Sequence, residues 1–363
     1  MPGVLVHEWI AGAGGSENVF EAMSRIYPDA ELVCLWNDSV GRFDPARIRE
    51  SWMARTPLRR SKSLALPFMP ATWRARRPHN YSWALISSHL FAHHANFGDP
   101  ELKRFAYIHS PARYIWNPEL DRRGDSLPVR LAAAALKPID RRRAHDGAEY
   151  AANSEFVRDR IRQAWGVDAR VIYPPVAVEE IQAVDWRDEL SPQETALLDE
   201  LPTSFLLGAS RFIPYKQLDL VIRTGSVSGL PVVLAGSGPE EARLRAAAED
   251  ADVPVRFVPA PSDALLRALY GRAAAYVFPA IEDFGIMPVE AMAMGTPVIA
   301  RAVGGVTESV VDGQSGVLTD FASDSDLVAA VEAATSIGPE APSERARRFS
   351  SAMFRDAIMG WVG

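Results

Sequence analysis

A chain of 363 residues favours two domains over one, and 48% apolar with 23% charged residues is the composition of a soluble globular protein. No stretch approaches the roughly 18 apolar residues of a spanning helix, a formal net charge of −7 disfavours nucleic acid, and one cysteine, Cys34, excludes an internal disulfide and allows a reducing compartment. The N-terminus has no basic region ahead of its apolar run, which is only strand-length, so a signal peptide is not expected.

In chain order, Val4-Leu5-Val6 reads as a first strand. It is followed by the glycine-rich stretch Glu8 to Glu17 and a helix carrying Val19, Phe20 and Met23. A glycine-rich loop between strand and helix suits a phosphate, or is simply a tight turn; it lacks the GxGxxG spacing of a dinucleotide site. Further strand-like segments are expected at Leu32 to Trp36, Ala84 to Ser87, Phe105 to His109, Tyr150 to Asn153 and Val171 to Tyr173, alternating with helical stretches. The neighbours of Cys34 (ELVCLW) predict a buried thiol.

Between the first strands lies a basic segment, with Arg55, Arg59, Arg60, Lys62, Arg74, Arg76 and Arg77 interleaved with Trp52, Leu64, Leu66, Phe68, Met69 and Trp73. Cations mixed with large apolar groups suit peripheral contact of region 52–77 with an anionic membrane and a lipid-linked acceptor. The competing reading is a solvated loop with a partly buried apolar side. His93 and His94 are not expected to hold a metal, because neighbours on a strand point to opposite faces, and no HExxH pattern occurs.

Pro174-Pro175 and the polar run to Pro202 read as a linker with a short helical insert. A second series of strands then runs through Phe205 to Gly208, Val232 to Ala235, Val255 to Val258, Ala275 to Phe278 and Val298 to Ala300. Alternation of this kind predicts an α/β fold with parallel sheets covered on both faces. Arg211 and Lys216 follow the strand FLL, near its carboxyl edge, and suit a diphosphate that gains charge as it leaves. Glu282-Asp283-Phe284-Gly285-Ile286-Met287-Pro288-Val289-Glu290 falls where a strand ends and a helix begins. The free N–H groups there favour a diphosphate, and Gly285 permits close approach. Glu282 and Glu290 are too far apart to share a proton but can each accept hydrogen bonds from different hydroxyls; the plain alternative is an acidic helix start and a solvated glutamate. Phe349, Met353, Phe354, Ile358 and Trp361 form an apolar stripe near the end.

These motifs, together with LPFMP, LISSHLFAH, YIHSPARYIWN, YAANSEFVRDRI, GSGPEEARL and GGVTESVVDGQSGVL, resemble the retaining glycosyltransferases of family 4, and within them the bacterial GDP-mannose-type mannosyltransferases. The likeness runs nearly end to end. It implies GT-B architecture, with two Rossmann-like doubly wound domains facing across a cleft. These would be an N-terminal acceptor domain over 1–180, completed by a C-terminal helix over 345–363, and a donor domain over 200–344.

The resemblance also implies roles. Gly14 and Gly15 would lie near the donor phosphate and the acceptor. His109 would stand close to the sugar's anomeric side. Arg211 and Lys216 would hold the diphosphate, Glu282 the sugar hydroxyls, and Glu290 the ribose. The backbone of Phe284, Gly285, Ile286 and Met287 would lie along sugar and phosphates. Glu17, Arg113 and Trp116 would shape the acceptor side. Relatives often carry glycine after the strand that meets the base, where this chain has Val258-Pro259-Ala260, so the nucleotide, GDP- or UDP-linked, is left open. The implied enzyme is a cytoplasmic hexosyltransferase, with peripheral contact at the inner membrane face as the accompanying expectation. Its donor substrate would be a nucleoside diphosphate sugar, its second substrate a hydroxyl acceptor, and no metal or other cofactor would be required. Two alternatives share the scaffold: a sugar-nucleotide epimerase, and a non-catalytic nucleotide-sugar-binding protein.

Overall fold

The computed structural model describes residues 2–75, 80–116 and 127–363. The chain forms two compact units, one running to Pro175 and taking in Ala352–Gly363, the other Val176–Ser351. Arg76 and Arg77, named above in the basic segment, lie outside the described residues.

The first unit holds a seven-stranded sheet: β1 (Gly3–His7), β2 (Glu31–Cys34), β3 (Ile48–Glu50), β4 (Trp83–Ser88), β5 (Lys103–Ile108), β6 (Glu149–Ala152) and β7 (Arg170–Val171), in the order β3-β2-β1-β4-β5-β6-β7. Every pairing is parallel, with Leu5 opposite Leu32 on one side and Leu85 on the other. Because side chains alternate across a strand, each strand feeds two cores. Val4, Val6, Ala84, Ile86, Ala106 and Ile108 face one layer with Val157, Ile161 and Trp165. Leu5, Leu85, Phe105 and Tyr107 face another, built from Val19, Phe20 and Met23 of the helix Gly15–Ile26 and from Phe354, Ile358 and Trp361 of the terminal helix Ser351–Val362. Cys34 is buried in that second layer.

The second unit holds a six-stranded parallel sheet of β8 (Leu206–Ala209), β9 (Val232–Ala235), β10 (Val255–Val258), β11 (Ala275–Phe278), β12 (Val298–Arg301) and β13 (Gly316–Thr319), in the order β10-β9-β8-β11-β12-β13. One face packs Leu206, Val232, Leu234, Val277 and Ile299 against Val221 and Ile222 of the helix Asp219–Ser228 and Leu327 and Val331 of the helix Asp324–Thr335. Both sheets are doubly wound, as the alternating pattern predicts. Strand order reverses between β1 and β4 in one unit and between β8 and β11 in the other, which are the places where such sheets bind ligands at their carboxyl ends.

Two strands escaped the sequence reading. β3 is three residues of an edge, with no apolar run, and β13 is a four-residue edge strand framed by turns. Of the stretch read as a linker, Pro174 and Pro175 close the first unit's main segment, and the part from Val176 on belongs to the second unit. It carries the helix Val178–Ala183, which buries Val178 and Ile181, and the helix Pro192–Glu200, started by a capping box between Ser191 and Glu194. No described helix is long and apolar enough to cross a membrane.

Candidate functional site

In the second unit the strand-order reversal gathers the residues singled out in the sequence. Beyond β8, Arg211 is exposed while Phe212 beside it is buried, so the loop is pinned through the ring and leaves the guanidinium in solvent. Lys216 ends the 3-10 turn Pro214–Lys216 and is buried. Its ammonium pairs with Glu282 Oε1, and the rings of Tyr215 and Phe278 lie 5.5 and 5.7 Å from it. Arg301, on β12, ties the surroundings together: Nε donates to the Pro279 carbonyl (2.8 Å), Nη1 to the Asp320 carbonyl (2.8 Å) and Nη2 to Gln217 Oε1 (3.0 Å). It thus braces both the turn behind Lys216 and the segment leading to Glu282. Sequence reasoning passed over Arg301, since nothing in VIAR distinguishes it from an ordinary strand end.

The helix Ile286–Ala293 begins at Gly285, whose φ of 91° is left-handed and favours glycine. No side chain caps this N-terminus, so its N–H groups and the helix dipole favour an anion there. The loop before it is held by the Gly305 N–H, which donates to the Glu282 carbonyl (2.9 Å). A Cβ at Gly305 would overlap the Asp283 carbonyl, so only glycine allows the approach. Phe284 is buried against Phe349 (5.4 Å), while Ile286 and Met287 are half-buried.

Glu290 is not a solvated helix glutamate. Its Oε1 accepts from Arg267 Nη2 (2.8 Å), and both side chains are largely buried. Burial lowers the Arg267 pKa, but the hydrogen bond and charge of Glu290 outweigh it and the net shift is upward. Val258 ends β10, and its carbonyl already accepts the Gly236 N–H (2.9 Å), so it stands within the sheet ladder. Ala260, two residues on, has φ 43°.

The first unit has its own polar cluster where β1, β4 and β5 end. Glu8 is fully buried, and its carboxylate accepts from Ser88 Oγ (3.0 Å) and from the N–H groups of Leu90 (2.9 Å), Ala92 (2.9 Å) and His89 (3.2 Å). Burial raises its pKa, yet the nearby His89 and His7 and the backbone donors prevail and bring it down to about 2. His7 Nδ1 donates to the Ser87 carbonyl (3.0 Å), and Ser87 Oγ lies 2.8 Å from His109 Nε2. Burial, then His89, lowers the His7 pKa to about 4, against the pull of Glu8. Burial, followed by His7 and His89, holds His109 well below the ordinary histidine value. Both imidazoles are therefore neutral near pH 7. Glu8 and Ser87 did not stand out in the sequence; the one available signal was a carboxylate directly after a buried strand.

Gly14 and Gly15 are exposed at the start of the helix Gly15–Ile26. The Glu17 carboxylate, joined by Ser16 Oγ (2.8 Å), lies over Gly14, where a Cβ would collide with it. An acidic loop mouth suits a hydroxyl better than a phosphate. Arg113 is half-buried on the short helix Arg113–Trp116. Trp116 donates its indole N–H to Asp140 Oδ2 (2.7 Å).

The expectation about His93 and His94 needs correction. They sit on the 3-10 turn Ala92–His94, not on a strand, and their Nε2 atoms both reach Asp140 Oδ1, at 3.1 and 2.8 Å. Like His7, Glu8 and His89, these three side chains bring their donor atoms within 4.8 Å of one another. The opposite-face argument against a metal thus fails. Asp140 also accepts from the indoles of Trp116 and Trp165, both 2.7 Å, so four N–H-bearing rings surround one buried carboxylate at hydrogen-bond distances. The two indoles and His94 Nε2 are hydrogen-bonded to Asp140, whereas His93 Nε2 and His94 Nδ1 are buried without a hydrogen-bond partner.

Comparison with known proteins adds to this geometry. Residues 197–352 match the family described as "Glycosyl transferases group 1". The D-inositol 3-phosphate glycosyltransferase of Jonesia denitrificans is 32% identical over 208 residues, 54% of this chain and 47% of that protein. The glycogen synthase of Thermus thermophilus is 44% identical over 82 residues, 22% and 18% of the two chains. The matches thus span less than half the length of these curated relatives. Among solved structures, Anabaena Alr3699/HepE in complex with UDP superposes with a TM-score of 0.70 at 17% identity, covering 99% of both chains. The sucrose-phosphate synthase of Thermosynechococcus elongatus does so with 0.71 at 16%, covering 99% of this chain and 98% of the other. At such identity the likeness speaks for the fold, which is GT-B. The family match and the fold thus meet in the second unit, where residues 197–352 are similar to the group 1 glycosyl transferases.

Proposed function

We propose that the chain is a glycosyltransferase that moves a hexose from a nucleoside diphosphate sugar to a hydroxyl acceptor, with retention at the anomeric carbon. The observation that carries this reading is the Lys216–Glu282 pair beside the uncapped N-terminus of the helix Ile286–Ala293, with Arg211 free in solvent on the same sheet edge. The lysine and the glutamate satisfy each other. A bound diphosphate takes the ammonium, and Glu282 is then released to accept hydrogen bonds from the sugar. Arg211, Lys216 and the helix N–H groups stabilise the charge that builds on the departing diphosphate. These fixed cations supply the neutralisation for which a metal would otherwise be needed, and transfer is expected to persist in chelator.

Glu290, oriented by Arg267, is assigned to the ribose. His109 is assigned by resemblance to the sugar's reacting carbon, and a neutral imidazole does not repel the positive charge that develops there. No carboxylate is assigned as nucleophile. The acceptor oxygen attacks from the face the diphosphate leaves, and a diphosphate oxygen takes the acceptor's proton. The acceptor is proposed to be a glycan, a glycolipid, or an intermediate of the cell envelope or of a natural product.

The finer proposal for the donor is GDP-mannose, resting on HSPARYIW together with LPFMP. Solved HepE structures hold UDP and UDP-glucose, which makes UDP-sugars the competing donors. A thermal-shift panel of GDP-, UDP-, ADP- and dTDP-sugars separates them, because a ligand at 100 times its Kd raises stability by about 2.7 kcal/mol. Lys216→Ala and Glu282→Ala are expected to abolish transfer while the far-UV spectrum stays that of the parent. Full turnover in both would refute the site; turnover of the donor with no acceptor would point to an epimerase.

A further inference from the structure

Three of the exposed large apolar side chains, Trp52, Leu64 and Phe68, come from one short stretch of the first unit. The helix Lys62–Ala65, the 3-10 turn Leu66–Phe68 and the helix Met69–Arg74 follow without a break, and Ala65, Leu66, Phe68 and Met69 at the joints are all right-handed. One side of this run, Ala65, Met69, Thr72 and Trp73, is buried. The opposite side, Leu64, Pro67, Phe68 and Ala71, is exposed and apolar, with the exposed Lys62 and Ser63 at its start. Trp52 extends it: its ring stands edge-on to Phe68 at 6.5 Å, and its indole N–H is anchored on Thr72 Oγ1 (3.1 Å). A helix apolar on both sides is one that has a second surface to cover.

The charge around this stripe is one-sided. From Ser51 to Gly98 the sequence contains no aspartate or glutamate, in a chain whose net charge is −7. Arg59 is neutralised by Asp38 and Arg74 by Asp146, each at 2.5 Å. Arg55, Arg60 and Lys62 stay exposed, the last with its ammonium 4.2 Å from the ring of Trp9. A second copy seated on this face would bring the same cations against each other. Tryptophan, phenylalanine and leucine on one stripe with cations beside them match the requirements of a negatively charged lipid surface.

We propose that the face formed by Trp52, Leu64, Phe68 and Ala71, with Arg55, Arg60 and Lys62, docks on an anionic bilayer. This goes beyond the proposed transfer reaction and does not rest on it, since binding is read without any donor. The test is co-sedimentation of the whole chain with vesicles of phosphatidylcholine alone and of three parts phosphatidylcholine to one part phosphatidylglycerol, at low and high salt. Binding to the anionic vesicles is expected to be strong at low salt and to fall as salt screens the cations. Each cation removed in Arg55→Gln and Arg60→Gln is expected to weaken it about five-fold. Leu64→Ser with Phe68→Ser removes it at unchanged thermal midpoint; were that pair to disturb folding, the arginine variants still decide. Equal binding to both vesicle types, no binding to either, or a dimer that Phe68→Ser dissociates would each overturn the proposal.

Discussion

Ala260 holds a left-handed backbone at φ 43°, two residues past the end of β10, in the stretch where the family resemblance implies a glycine. A non-glycine residue there costs about 1–2 kcal/mol, and glycine returns part of that gain through its freer unfolded chain. Ala260→Gly is therefore expected to stabilise the second unit by about 0.5–1 kcal/mol in urea unfolding; a loss of stability would show that the loop tolerates the alanine without strain. The departure from glycine could be read in the sequence, but the torsion that gives it meaning could not. Glu290 teaches the same lesson from the other side. Its spacing from Glu282 was visible, whereas its partner Arg267 comes from another helix 23 residues earlier and is brought to it only by packing.

At the scale of elements, the terminal helix Ser351–Val362 shows how far periodicity carries. Phe354, Ile358 and Trp361 recur at helical spacing and are all buried in the first unit, against Phe105 and Tyr107 of β5. Ile358 is fully buried, so Ile358→Ala is expected to cost about 2–5 kcal/mol. Hydrogen exchange should register that loss in the first unit's strands, though the helix lies at the far end of the chain; a loss confined to the second unit would contradict the packing. Edge elements were less legible. β3 and β13 owe their pairing to a neighbouring strand more than to their own residues, and Ala92–His94 turns where strand spacing had been assumed.

For the molecule as a whole, charge chemistry is divided between the units. All seven histidines lie before Pro175, and none is in the second unit. Burial holds His7 and His94 to about 4, against 6.5 in their unperturbed state, and depresses His109 as well. Between those values the unfolded chain binds more protons than the folded one, so stability rises with pH. The contribution is complete above about pH 6.5 and is lost as pH falls toward 4. Glu8, depressed to about 2 in the folded state, extends the loss below pH 4.5. Acidification from pH 7 to 4 is accordingly expected to lower the unfolding midpoint of the first unit well ahead of that of the second. Calorimetry with hydrogen exchange checks it; an equal decline in both units would place the acid-sensitive groups elsewhere.

The sequence by itself determined the alternation of strands and helices, the two parallel sheets, the buried thiol and the loops that carry Arg211, Lys216 and Glu282. These are local matters, set by side-chain periodicity, by glycine and by the ends of apolar runs. Tertiary structure alone decided which groups meet: Lys216 with Glu282, Arg301 with three separate carbonyl-bearing segments, Glu8 with the turn after β4, and two adjacent histidines with Asp140. Such contacts join residues tens of positions apart. Their existence depends on strand order and on which backbone donors are left unpaired, and neither is written in the spacing of one segment.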